Sequence, residues 1–284
     1  MRVTSLLLRP SPGSPSLDGA GGLGTEVTWA AVVLTGGRAR RLGGTSKADL
    51  VVGGRTLLAS TYDACRDLGA QVVVVVGPEP DEPSGLEQPG GPRLVWTRED
   101  PPFAGPARAV AAGVAALAQH ATVVPGAAVA VLACDMPQVG AALHVLARAV
   151  AADGGPVPGQ PGVPGTSADP QRAAPPEPDG AAPQTALPAA GWWSVLGTSA
   201  GPGGAQVQWL LGIHRWELLR DACAALSPDG SGESVRELLA PSRARRVPVP
   251  DAAAADIDTW TDLHTALHPS GRATHRQERT THAS

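Results

Sequence analysis

The sequence predicts a three-layer α/β/α, Rossmann-like fold built on a mostly parallel sheet. Continuous apolar runs such as "WAAVVLTGG", "AQVVVVVG" and "AAVAVLACDMP" end in glycine or proline, as strands buried on both faces do. Segments with apolar residues at helical spacing lie between them, and this alternation is the mark of a parallel sheet covered by helices. The length, 284 residues, suffices for one sizeable core, or one core with appendages.

The elements follow in order. Residues 1–27 are rich in Gly, Pro and Ser and lack periodicity, so they read as a disordered leader. The first strand begins at Thr28 and exits through Gly36-Gly37. "RTLLASTYDACRDLG" is a helix closed by Gly69. "AQVVVVVG" is the second strand and "RLVWT" a short third. "GPARAVAAGVAALAQH" is an Ala-rich helix, "AAVAVLACDMP" a fourth strand stopped by Pro137, and "ALHVLARAVAA" another helix. From Gly154 to Gly191 there are ten prolines and seven glycines, too little apolar surface to offset ordering entropy. That stretch, 154–191, reads as a disordered insertion. Order resumes near Trp192 or Gln206, with Trp192-Trp193 as an anchor. "VQWLLGIHR" is a strand, "WELLRDACAAL" and "GESVRELLA" are helices, "RRVPVP" is an edge strand, and "DIDTWTDLHTALH" opens the last helix. One domain thus covers 28–268, followed by a flexible tail at 269–284.

Bulk properties narrow the function. A net charge of −4 argues against a nucleic-acid binder driven by overall charge, and no apolar run approaches a membrane span. Cys65, Cys134 and Cys223 are odd in number and widely spaced, which matches neither a disulfide framework nor a zinc site and suits a reducing cytoplasm.

In open α/β sheets ligands bind beyond the carboxyl ends of the strands. There, Gly36-Gly37 lets backbone N–H groups approach a ligand, and Arg38, Arg40, Arg41 and Lys47 follow closely. Backbone donors with four cations suit a polyphosphate; the plainer alternative is a solvated basic loop. Lys47 is the one lysine among 22 basic residues, so a compact point charge is retained where the chain otherwise uses Arg. Asp135, at the end of the fourth strand, is a natural Mg²⁺ ligand for a nucleoside triphosphate, or else caps the next helix. Asp256 and Asp258 lie two apart on an extended stretch and suit a second carboxylate to the metal; against this, Thr259-x-x-Asp262 looks like a capping box. Cys134 is better read as a core residue than as a nucleophile, and His264 and His268 as solvated groups rather than a metal pair.

Together, "VVLTGGRARRLGGTSKADLVVGGRTLL", "REDPPFAGPARAVAAGVAAL", "LACDMP", "WLLGIHR" and "DIDTWTDL" resemble the molybdenum cofactor guanylyltransferases, within the nucleotidyltransferases of the glycosyltransferase-A-like Rossmann group. The first block is similar to the signature L-A-G-G-x-S-x-R-M-G-x-x-K, followed by a strand and G-x-P-L-L. The resemblance implies that Leu34, Thr35, Gly36 and Gly37 lie along the nucleotide and that Arg41 and Lys47 contact its triphosphate. It implies that Asp135 is the metal-binding aspartate, and that Asp256 and Asp258 stand at two Asn positions of N-I-N-T-P-E-D-L. Gly105 and Pro106 would open the acceptor loop G-P-L-A-G. The chain departs from the pattern at Thr35, Leu42, Ser46, His214 and Trp260, where the family carries Ala, Met, Asp, Tyr and Pro.

The expected activity is transfer of GMP from GTP to molybdopterin, or a related phosphorylated small molecule, with Mg²⁺ and release of pyrophosphate. Lys47, Arg41 and Asp135 would carry catalysis, and Arg38 would join the nucleotide-binding residues. Two rivals stand beside it: a molybdopterin cytidylyltransferase or other small-molecule nucleotidyltransferase, and a nucleotide-binding regulatory protein without turnover.

Overall fold

The computed structural model describes residues 26–35, 46–80, 85–159, 193–201, 204–227 and 233–267. The expected leader and tail lie outside them, apart from Glu26 and Val27, which already belong to the first strand.

A seven-stranded sheet forms the middle layer. Its first strand, β1 (Glu26–Leu34), is followed by a small antiparallel hairpin of β2 (Val51–Val52) and β3 (Arg55–Thr56) and by helix α1 (Leu57–Asp67). Then come β4 (Val72–Val76), β5 (Arg93–Thr97), α2 (Pro106–His120), β6 (Thr122–Ala133) and α3 (Val139–Ala152). The second half holds β7 (Ser194–Gly201), β8 (Gly204–Arg215), α4 (Trp216–Ala224), α5 (Val235–Leu239), β9 (Arg245–Pro248) and α6 (Trp260–Leu267). Spatial order across the sheet is β5-β4-β1-β6-β8-β7-β9. β4, β5 and β6 run parallel with β1, β8 is antiparallel to both neighbours, and β9 pairs parallel with β7 at the edge.

The continuous apolar runs are explained by burial on both faces. Trp29, Ala31 and Val33 of β1 face a core shared with α1 and α3, while Ala30, Val32 and Leu34 face one shared with α2, α4 and α5. Val73 and Val75 of β4 belong to the first core, and Val72, Val74 and Val76 to the second. With period-2 alternation, both sets must be apolar once helices cover both faces. The Thr56 side chain caps α1 by accepting from Ala59 N at 3.1 Å, and Pro106 opens α2 at a position where its missing N–H costs nothing.

Two stretches refine the sequence reading. Residues 154–159, the first part of the expected insertion, form turns packed on the domain. Gly159 N donates to Leu68 O at 3.2 Å, and Trp193 lies so close to Gly155 that a Cβ there would come within 2.8 Å of Trp193 Cε2. The remainder, 160–191, lies outside the described residues. Beyond it, β7 is an inner strand that the sequence pattern did not single out, paired with β8 across a register shift between Leu196 and Gly197.

Candidate functional site

Hydrogen bonds beyond the strands draw the carboxyl ends of β1, β4 and β6 into one rim. Thr35 N and Thr35 Oγ1 both donate to Val76 O, at 3.0 and 3.1 Å, and Cys134 N donates to Leu34 O at 3.1 Å. Leu34, Thr35 and Asp135 therefore stand side by side at the end of the sheet where a doubly wound fold binds its ligands. Gln138, not Asp135, occupies the N-cap of α3, so Asp135 is not spent on capping.

Lys47 reaches this rim from a short 3-10 turn, Lys47–Asp49, which is pinned by buried Ala48 and Leu50. Leu50 packs with Leu57 and Ile257 in a small separate cluster. Ile257 N in turn donates to Asp135 O at 3.0 Å. With Ile257 tucked inward, Asp256 and Asp258 flank it, and both bring a carboxylate to Asp135. One oxygen from each of Asp135, Asp256 and Asp258 lies within 4.8 Å of the others. The capping box is present as well: Thr259 N donates to Asp262 Oδ2 at 2.8 Å, and Asp262 N to Thr259 Oγ1 at 3.2 Å. The capping box of "DIDTWTDL" is thus formed by Thr259 and Asp262, while the two aspartates before it converge on Asp135.

Lys47 Nζ donates to Asp135 Oδ2 at 2.9 Å and to Asp258 Oδ1 at 2.5 Å. Lys47 and Asp135 side chains are 18 % and 19 % exposed and Asp258 is 50 % exposed, so the first pair is the better shielded from solvent. Burial opposes the charge on Lys47, but the hydrogen bonds and charges of Asp258 and Asp135 outweigh it and raise its pKa. Asp256 is pushed up as well, by burial and then by the charges of Asp135 and Asp258. Three converging carboxylates offer hard oxygen donors, a set that fits Mg²⁺. Cys134 is buried and its thiol is pushed up to about 12, which fits a core residue and not a nucleophile.

Lys47 and Asp135, with Cys134, line a cleft of about 380 Å³. Leu34 and Thr35 are also part of its lining, as are Gly105 and Pro106, at the start of α2. Of the nucleotide and acceptor residues expected from the sequence, Leu34, Thr35, Lys47, Asp135, Gly105 and Pro106 border this one cleft. Gly36, Gly37, Arg38, Arg40 and Arg41 lie outside the described residues, as does His268. Arg98, Glu99 and Phe103 also line the cleft. Sequence reasoning assigned them no role, although they stand in "REDPPFAGP".

The MobA-like NTP transferase domain model matches residues 31–247. No curated protein sequence matches significantly. Among solved structures, 4-diphosphocytidyl-2C-methyl-D-erythritol synthase from Anaerococcus prevotii is 11 % identical with a TM-score of 0.54, covering 84 % of this chain and 96 % of its own. Rv0371c from Mycobacterium tuberculosis is 20 % identical with a TM-score of 0.51, covering 84 % and 98 %. Molybdopterin-guanine dinucleotide biosynthesis protein A from Archaeoglobus fulgidus is 16 % identical with a TM-score of 0.47, covering 84 % and 96 %. At these identities the structural likeness speaks to the fold alone. The family match, in contrast, runs from within β1 to within β9 and takes in Lys47 and Asp135: the chain belongs to the MobA-like NTP transferase domain family and is a nucleotidyltransferase.

Proposed function

We propose that the protein transfers GMP from GTP to the terminal phosphate of molybdopterin and releases pyrophosphate. The observation that carries this reading is the pairing of Lys47 with Asp135 on the cleft that Gly105 and Pro106 also border, with Asp258 bonded to the same ammonium. An acceptor phosphate oxygen attacks the α-phosphorus in line. The new P–O bond forms as the bond to the bridging oxygen breaks, and pyrophosphate leaves with that electron pair. Little covalent work falls to the protein, so its task is positioning and charge neutralisation.

Leu34 and Thr35 lie along the nucleotide, and Gly36, Gly37, Arg38 and Arg41 hold its phosphates together with Lys47. Asp135 with Asp256 or Asp258 would hold Mg²⁺, which would supply further neutralisation of the triphosphate. The Gly105-Pro106 turn borders the acceptor. The three free thiols, Cys65, Cys134 and Cys223, suit a reaction carried out in the cytoplasm.

The test offers each of the four ribonucleoside triphosphates, with molybdopterin and Mg²⁺, and scores pyrophosphate. GTP should give the highest rate. Preference for CTP would move the assignment to a cytidylyltransferase. Release with no nucleotide would refute the transfer reading.

A further inference from the structure

We propose that Phe103 is a stacking platform for a planar heteroaromatic ring carried by a substrate of this cleft. The ring is either the nucleobase of the triphosphate or the ring system of the acceptor. The proposal rests on the nucleotidyl-transfer reading above and adds a recognition residue to it.

Phe103 is the chain's one phenylalanine. Tyr62 and Trp29 are each about 1 % exposed and serve the core, whereas Phe103 is 54 % exposed and lines the same cleft as Lys47 and Asp135. Its backbone has φ of 66°, a left-handed conformation that bulky side chains avoid. A turn required only to reverse the chain would be served better by Gly or Asn. Two neighbours hold the strained residue in place. Glu99 Oε1 accepts from Phe103 N at 2.9 Å, and the Arg98 guanidinium lies over the ring, 5.3 Å from its centroid. Both neighbours also line the cleft. Strain maintained by specific contacts on a binding cleft points to function. Two residues further on, Gly105 (φ 108°) turns the chain into α2, whose first residue Pro106 borders the same space.

The arrangement presents an aromatic surface, with a cation over the ring, and Phe103 is the one aromatic among the described residues that line the cleft. Heteroaromatic rings stack on such surfaces irrespective of their hydrogen-bond pattern, because every one has a π face. Phe103 therefore adds affinity and orientation without choosing between guanine and cytosine.

The experiment compares the parent with Phe103→Leu, which keeps apolar bulk without the ring, and Phe103→Tyr, which restores the ring. Calorimetry gives Kd for GTP, CTP and inorganic tripolyphosphate, and steady-state rates give KM for molybdopterin. If the base stacks, Phe103→Leu weakens GTP and CTP about tenfold and leaves tripolyphosphate unchanged. If the acceptor stacks, nucleotide affinity stays and the molybdopterin KM rises about tenfold. In either case Phe103→Tyr behaves as the parent. The proposal is overturned if Phe103→Leu matches the parent throughout, or if tripolyphosphate weakens as much as GTP, which would mark a merely structural loop. A parent that binds none of these ligands overturns the transfer reading and this proposal with it, and is distinguished by its own silence rather than by the variant.

Discussion

We propose that the site needs Lys47 as a lysine, and not merely as a positive charge. Its ammonium fits between Asp135 and Asp258, at 2.9 and 2.5 Å, on a stem long enough to move towards a phosphate. A guanidinium is wider and prefers two parallel oxygens. Lys47→Arg should therefore bind GTP within a few-fold of the parent yet react about a hundredfold more slowly, the cost of a displacement of about 1 Å in a positioned reaction. Calorimetry beside single-turnover rates checks this, and a full rate in Lys47→Arg would show that charge alone suffices. Asp135→Asn tests the metal position. Its fold should persist, because the bond from Ile257 N falls on the Asp135 main-chain oxygen. Turnover should fall by about two orders of magnitude or more, as for loss of a major electrostatic contributor. Titration with Mn²⁺ supplies a second readout, and unchanged Mn²⁺ affinity would remove Asp135 from the ligand set. The place of Lys47 and Asp135 on one cleft was legible, from a lone lysine after a strand exit and a carboxylate at a strand end. Phe103 was not, because the sign of a φ angle is not written in a phenylalanine.

At the scale of elements, the sheet accounts for what could be read. Strands buried on both faces announce themselves as apolar runs, so β1, β4 and the inner half of β6 were plain. β7 was not, because Gly197, Thr198 and Ser199 interrupt its apolar pattern and its pairing depends on β8 folding back across a bulge. Ser194 Oγ and His214 Nδ1 join the two strands at 2.5 Å, and His214 is fully buried. Burial lowers the His214 pKa to about 4. Between pH 6.5 and 4 the unfolded chain takes up a proton that the folded chain refuses, so stability falls with pH by up to about 3 kcal/mol across that window. Thermal midpoints measured from pH 7 to pH 4 should decline accordingly, and His214→Gln should flatten the slope. Helix α2 carries a second test. A Cβ on Gly113 would strike Val32 Cγ1 and come within 2.9 Å of Val76 Cγ2. Helix propensity favours Gly113→Ala by about 1 kcal/mol, but overpacking costs about 1–3 kcal/mol. The variant should be neutral to about 2 kcal/mol less stable by denaturant unfolding, and clear stabilisation would show that α2 moves off the sheet freely.

Across the whole molecule, the site is assembled from distant parts of the chain: Lys47 and Asp258, in direct contact, are 211 residues apart. No local pattern contains that meeting. It follows from strand order, from the Ile257–Asp135 backbone bond and from the packing of Ile257 on Leu50 and Leu57. The same reasoning bears on the Pro- and Gly-rich stretch. Gly159, on one side of it, is bonded to the end of α1, and Trp193, on the other, is buried beside Gly155 just after α3. Both flanks thus make contacts of their own with the domain. We propose that residues 160–191 are dispensable for folding. Replacing them with a Gly-Ser linker of about eight residues, which reaches up to about 26 Å, should leave the thermal midpoint within a few degrees, because loop length changes closure entropy only logarithmically. Insoluble protein, or a midpoint lowered by ten degrees or so, would show that the stretch belongs to the core; about 3 kcal/mol would be needed for such a fall in a domain of this size. An unchanged midpoint with normal GTP binding but no pyrophosphate release would instead assign the stretch to the acceptor side of the cleft.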